Sequence, residues 1–372
     1  MFLLEPLTHF LTGACISRAT GLNKRTLYAT TTCVLAAEAA DLDMVAYFGG
    51  PITGFEHHRG ITHAFVGVPL VAAFVVGFMY LIWRWRRKPP DPFVARETDK
   101  IVTPDPAKTP NWGLLYGFAC LAGLSHILLD FTNNYGVRPL EPFSYKWFSW
   151  DIIFIFEPLL YVFLLGGLLL PSLFALINEE IGARRKGPKG QGGAIVALVL
   201  MVALWGLRDY QHRRAIATLE ARTYHGEEPI RVSAYPYFLN PFKWYGVVEC
   251  ENFFEQVVVD SLTPEVDPSG ASTTRFKREE TPPDLAAKDS RLGHTYLDWA
   301  QYPLTEVERT SDPPGYLVRF YDLRFDYPEL RRNRMTLSAR VQLDEQLKVV
   351  TMFFGARQQR PDLLEPGENG KR

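Results

Sequence analysis

Apolar positions crowd the first 210 residues of the chain and thin out beyond them. Spanning a bilayer takes about 20 mostly apolar residues, because lipid offers an open backbone no hydrogen bonds. Four runs reach or approach that length: 27–48, with Glu38, Asp41 and Asp43 near its end; 62–83; 112–129; and 152–176. A fifth, GGAIVALVLMVALWGL at 192–207, is short but free of charge. Ahead of them all, PLTHFLTGACISRA makes about half a span and predicts a short re-entrant helix. After Arg208 the pattern changes. RDYQHRRAIATLEARTY predicts a polar connecting helix, and YLVRFYDLRFDY and MTLSARVQLDEQLKVVTMFF alternate with the period of two of half-buried antiparallel strands. DPSGASTTRFKREETPPD between them reads as a turn-rich excursion.

The expected fold is an α-helical integral membrane bundle of about five spans plus a short N-terminal re-entrant helix, followed by a small β-rich soluble domain. The expected boundaries are 1–209 for the membrane domain, with a Pro-rich charged cytoplasmic linker at 84–111. A connecting helix follows at 210–229, then a β-rich extramembrane domain at 230–356 and a loose tail at 357–372. Basic residues orient the bundle. WRWRRK at 83–88, ARRKGPK at 183–189, and Arg18, Lys24 and Arg25 all fall on the cytoplasmic side under one self-consistent alternation. The loops at 41–61 and 130–151 then face outward, as does the C-terminal domain. The beginning of the chain, MFLLEPLTHFLTG, has neither a basic n-region nor a small-residue cleavage site, so a cleaved leader is not expected there.

Composition narrows the classes further. A net charge of −1 gives no global sign of nucleic-acid binding. The four cysteines contain no Cys-x-x-Cys pair, and Cys15, Cys33 and Cys120 lie in apolar runs, which argues for buried small residues over a thiolate zinc site.

The chemistry concentrates in the histidines. Five of the eight, His9, His57, His58, His63 and His126, precede residue 130, each near the end of an apolar segment. Asp41, Asp43 and Asp130 occupy similar places, and ionisable groups in membrane segments usually mark function. SHILLD sets His126 and Asp130 four apart, on one helix face. HRGITH suits a loop-to-helix junction that brings His58 and His63 together. AADLD sets two carboxylates two apart, and an antiparallel turn at TGLNKR returns His9 toward Asp41. These positions, His9, Asp41, Asp43, His58, His63, His126 and Asp130, form the expected metal ligands. Imidazole and carboxylate donors favour a divalent cation, Zn²⁺ first, with Mn²⁺ or Fe²⁺ as alternatives. The bland readings are buried polar networks, solvated helix ends and, for His9, interfacial anchoring.

THFLTG, AADLD, HHRGITHA and LSHILLDFTNNYGVRPLEPFS together resemble the YdjM-like membrane-bound metal-dependent hydrolases. The resemblance covers residues 8–165 and continues through YPYFLNPFKWYGVVE. The chain departs at Ala40, where the family usually has Pro. The resemblance implies a metal-dependent hydrolase acting through an activated water. It does not name a substrate; a site at the lipid boundary suits an amphiphilic ester or phosphodiester, with membrane lipid as the surrounding partner. Asp41, Asp43 and Glu38 are the candidate proton acceptors. Arg59 either clamps a substrate anion or snorkels to headgroups. Asn133 and Asn134 either bind substrate or form a tight turn ending at Gly136. The rival functions are a proton- or metal-translocating transporter and a membrane scaffold with a structural metal site.

Overall fold

The computed structural model describes residues 5–87, 109–180, 190–268, 270–327, 337–355 and 357–359. Most of the expected linker, the basic stretch at 183–189 and most of the expected tail lie outside the described residues. The chain divides into two compact units, one formed by Met1–Leu42 and Arg59–Arg208, the other by Asp43–His58 and Asp209–Arg372.

In the first unit, α1 (Glu5–Ala19) turns at Leu22–Lys24 and packs antiparallel on α2 (Ala29–Glu38). The two backbones nearly touch at Gly13, where an added Cβ would lie 2.7 Å from the Cys33 carbonyl oxygen. Such close approach needs a small residue. A 3₁₀ helix follows over Ala39–Gly49, and its later part and α3 (Pro51–His57) belong to the second unit. After a 3₁₀ turn at Ile61–His63 come α4 (Gly67–Arg86), α5 (Trp112–Thr132), α6 (Pro158–Glu180) and α7 (Gln191–Glu220). α5 packs on α1, α2 and α4, and Asn111 caps it by accepting the Leu114 N–H at 3.0 Å. An apolar core that includes Leu11, Cys15, Leu164 and Trp205 joins α1, α6 and α7.

Among the described residues, α4, α5 and α7 are long and apolar enough to cross a membrane, whereas α6 presents a shorter apolar helix at Pro158–Pro171. The stretch 27–48, expected as a span, is not one helix. α2 has 10 residues, about 15 Å at 1.5 Å per residue, which covers half of a hydrocarbon core about 30 Å thick. The carboxylates Glu38 and Asp41 sit where the helix tightens into 3₁₀ geometry. A different departure occurs at 210–229, where the polar connecting helix proves continuous with the fifth apolar run inside the 30-residue α7.

The second unit contains two antiparallel five-stranded sheets. One orders β1 (Arg231–Pro236), β2 (Lys243–Glu249), β3 (Phe253–Asp260) and β4 (Glu265–Val266), with β5 (Thr273–Phe276) also paired to β3. The other orders β10 (Arg357–Gln359), β9 (Val349–Phe354), β8 (Ala339–Leu343), β7 (Pro314–Asp322) and β6 (Pro303–Ser311). Helices α8 (Pro282–Lys288) and α9 (Arg291–Trp299) join them. The turn-rich excursion is thus partly regular, since β5 lies within it and α8 begins at its end. Phe55 of α3 is buried in this unit, stacked on Phe354 with ring centroids 4.1 Å apart and edge-on to Trp299 at 5.5 Å.

Candidate metal centre

Within the first unit, five side chains from four places in the sequence present a nitrogen or an oxygen to one another. His126 and Asp130, one turn apart on α5, approach to 3.4 Å between Nε2 and Oδ2. His63 leaves the 3₁₀ turn before α4, and its Nε2 stands 3.0 Å from Nε2 of His126 and 3.4 Å from Asp130 Oδ2. That turn is held close to α4 because Gly67 lacks a Cβ, which would collide with the Ile61 carbonyl oxygen. Asp41, on the 3₁₀ helix after α2, places Oδ1 at 3.4 Å from His63 Nε2 and 3.7 Å from His126 Nε2. His9 on α1 stacks on His126, centroids 3.8 Å apart, with its Nε2 3.4 Å from Asp130 Oδ1.

The surroundings fix what these groups offer. His126 Nδ1 lies 2.6 Å from the Ala37 carbonyl oxygen, a partner that only accepts, so the ring carries its proton there and turns the Nε2 lone pair inward. His63 Nδ1 has the Thr62 hydroxyl at 3.1 Å. Asp130 Oδ2 is buried and makes no hydrogen bond, although two imidazole nitrogens stand 3.4 Å away. Lone pairs gathered in a dry pocket repel unless a cation sits among them. The side chains of His63, His126 and Asp130 are almost wholly buried, while that of Asp41 is 27% exposed and marks the open side.

Arg59 is buried. Its backbone adopts a left-handed φ of 54°, strained for a residue with a side chain, and the guanidinium turns into the protein. There it donates to Asp130 Oδ1 at 2.9 Å, to Asn133 Oδ1 at 3.2 Å and to the Gly136 carbonyl at 3.0 Å, over the Tyr135 ring. Asn133 ends α5, and its Oδ1 also accepts the Tyr135 N–H at 2.9 Å, so its observed part is a turn. Asn134 is buried beside it. Glu38, the last residue of α2, is half-buried, with Oε1 shielded and without a hydrogen bond.

Asp43 and His58 belong to the second unit, where His58 Nδ1 stands 3.3 Å from Asp43 Oδ1, and His57 at the end of α3 is exposed. Among the described residues, the groups able to hold an ion are His63, His126 and Asp130, and His9, Asp41 and His126; Asp43 and His58 are in neither. Sequence reasoning missed the Ala37 carbonyl, which leaves no trace in residue type. It also missed the inward turn of Arg59, for which the adjoining Gly60 was the one available hint.

The comparisons with known proteins fit this division. The family described as YdjM inner membrane protein matches residues 4–215, and the YfhP C-terminal alpha/beta plait domain matches residues 285–362, over α9 and β6 to β10. Among curated proteins, the chain is similar to YfhP of Bacillus subtilis (strain 168), described as an uncharacterized protein, with 24% identity over 162 residues. That match covers 42% of this chain and 42% of the relative's length. No solved structure matches. With its helical region matched across more than half of its length, the chain belongs to the YdjM inner membrane protein family.

Proposed function

We propose that the protein is a membrane-bound hydrolase that depends on a divalent cation, zinc first among the candidates. One observation carries the reading. Zinc bonds of about 2.0–2.1 Å in tetrahedral geometry set donors about 3.3 Å apart. The nitrogen and oxygen atoms of Asp41, His63, His126 and Asp130 stand at 3.0, 3.4, 3.4, 3.4 and 3.7 Å in the five separations given above. Their chemistry fits as well as their spacing, since imidazole and carboxylate donors suit zinc, manganese or iron.

A cation bound there would supply an acidified water and a polarising centre for a scissile bond. The protein supplies the rest. The Ala37 carbonyl orients His126, and Arg59 holds Asp130 by the oxygen that faces away from His63 and His126. Asp41, as the partly exposed donor, stands where substrate enters. Glu38, one turn earlier, has a shielded oxygen without a partner and is the first candidate to take a proton, with Asp41 as the alternative. The apolar helices favour an amphiphilic ester or phosphodiester drawn from the bilayer, with the C-terminal unit outside the cytoplasm. The test is metal analysis of detergent-purified protein with a panel of phosphoesters and lipids. Stoichiometric metal in the wild type, lost together with hydrolysis in His63→Ala/His126→Ala, supports the reading. Equal metal content in the double variant refutes it, and labelled-metal uptake into proteoliposomes without hydrolysis favours a transporter.

A further inference from the structure

Two features of the centre exceed what one ion uses. His9 is buried and lies face to face with His126, the planes inclined by 25° and the centroids 3.8 Å apart. One ligand atom each of His9, His126 and Asp41 lie within 4.8 Å of one another, which leaves room beside the first ion for a second at the about 3.5–4 Å spacing of two-metal hydrolases. The second feature is the division of Asp130. Its Oδ2 stands 3.4 Å from Nε2 of both His63 and His126, and its Oδ1 stands 3.4 Å from Nε2 of His9. One carboxylate oxygen thus serves each side of the stack, at the same donor-to-donor spacing. Asp41 joins both sides, since its oxygen lies near His63 and His126 and also forms a donor group with His9 and His126 within 4.8 Å.

We infer that the centre holds a pair of divalent cations, the second bound by His9 and Asp41 and bridged to the first by Asp130. This rests on the single-ion reading above and extends it. His126 belongs to the first ion, because its other nitrogen is committed to Ala37. Asp130 Oδ1 keeps its Arg59 hydrogen bond on one lone pair and has a second for the cation. The shielded oxygen of Glu38, one turn before Asp41, is a further donor on that stretch of chain. A paired centre is more positive than a single one and selects an anionic phosphodiester over a neutral ester.

The experiment uses the full chain in detergent, produced in metal-depleted medium and loaded with Mn²⁺ alone. Two equivalents per chain by mass spectrometry, with a spin-coupled multiline EPR signal, are expected. His9→Ala is expected to bind one equivalent and to give the six-line spectrum of isolated Mn²⁺. One equivalent in the wild type, with an uncoupled spectrum, overturns the pair and leaves the single-ion reading standing. No bound ion overturns both. The wild-type spectrum decides the matter even if His9→Ala does not fold, and a His9→Ala protein that still holds two coupled ions removes His9 from the site.

Discussion

Replacing Asp130 by Asn separates its two tasks, because the side chain keeps its shape and loses its charge. Arg59 and Asp130 are both buried and 2.9 Å apart. Breaking a buried pair by removing one partner costs about 3–5 kcal/mol. Asparagine still accepts the Arg59 N–H, which places the cost near the lower end, about 3 kcal/mol. Metal adds a second difference. Zinc at 100 times its dissociation constant stabilises the wild type by about 2.7 kcal/mol through mass action, and a variant that cannot hold the ion gains nothing. The gap between the proteins is therefore about 3 kcal/mol in metal-depleted material and about 6 kcal/mol with zinc. The assay is unfolding in detergent followed by circular dichroism, on protein expressed in zinc-depleted medium, with and without added Zn²⁺. A gap of the same size under both conditions refutes the reasoning, since Asp130 then serves Arg59 alone.

Gly13→Val should push α1 away from the Cys33 carbonyl and carry His9 off Asp130, because His9 lies one turn earlier on the same helix; metal analysis checks for a loss of bound ion in a protein that still enters the membrane. Thr281→Ala in the second unit should cost about 1 kcal/mol in thermal unfolding, typical of losing a helix cap, because the Thr281 N–H and hydroxyl donate to Asp284 Oδ2 at 2.9 and 2.6 Å. Burial alone would raise the Asp284 pKa, but the hydrogen bonds from Thr281 and Thr305 outweigh it and hold the carboxyl below its ordinary value. A lowered folded pKa means that this contribution is complete above the unfolded value of about 3.9 and fades as pH falls through the folded one. A Thr281→Ala penalty that does not shrink on acidification below that value would contradict the assignment.

Much of the centre can be read from spacing. SHILLD places His126 and Asp130 a helical turn apart, and they meet at 3.4 Å. TGLNKR reads as a turn, and α1 indeed returns along α2 with His9 beside His126. What escapes the sequence is backbone. An average over 27–48 looks apolar enough to span, yet α2 stops at Glu38 and the chain tightens into 3₁₀ turns that aim Asp41 at His63. Arg59 looks like a clamp or an anchor by residue type, and only its left-handed φ turns it onto Asp130. In the second unit, alternation exposes β7 and β8, whereas β3, buried on both faces, has none to show.

The uneven exposure of the donors bears on how a cation comes and goes. With His63, His126 and Asp130 buried and Asp41 partly exposed, a cation held there as proposed would exchange past Asp41, by a path too narrow for a large chelator. Its departure would wait on transient loosening of the helices, so occupancy in a purified sample would reflect which metals surrounded the chain as it folded more than those in the final buffer.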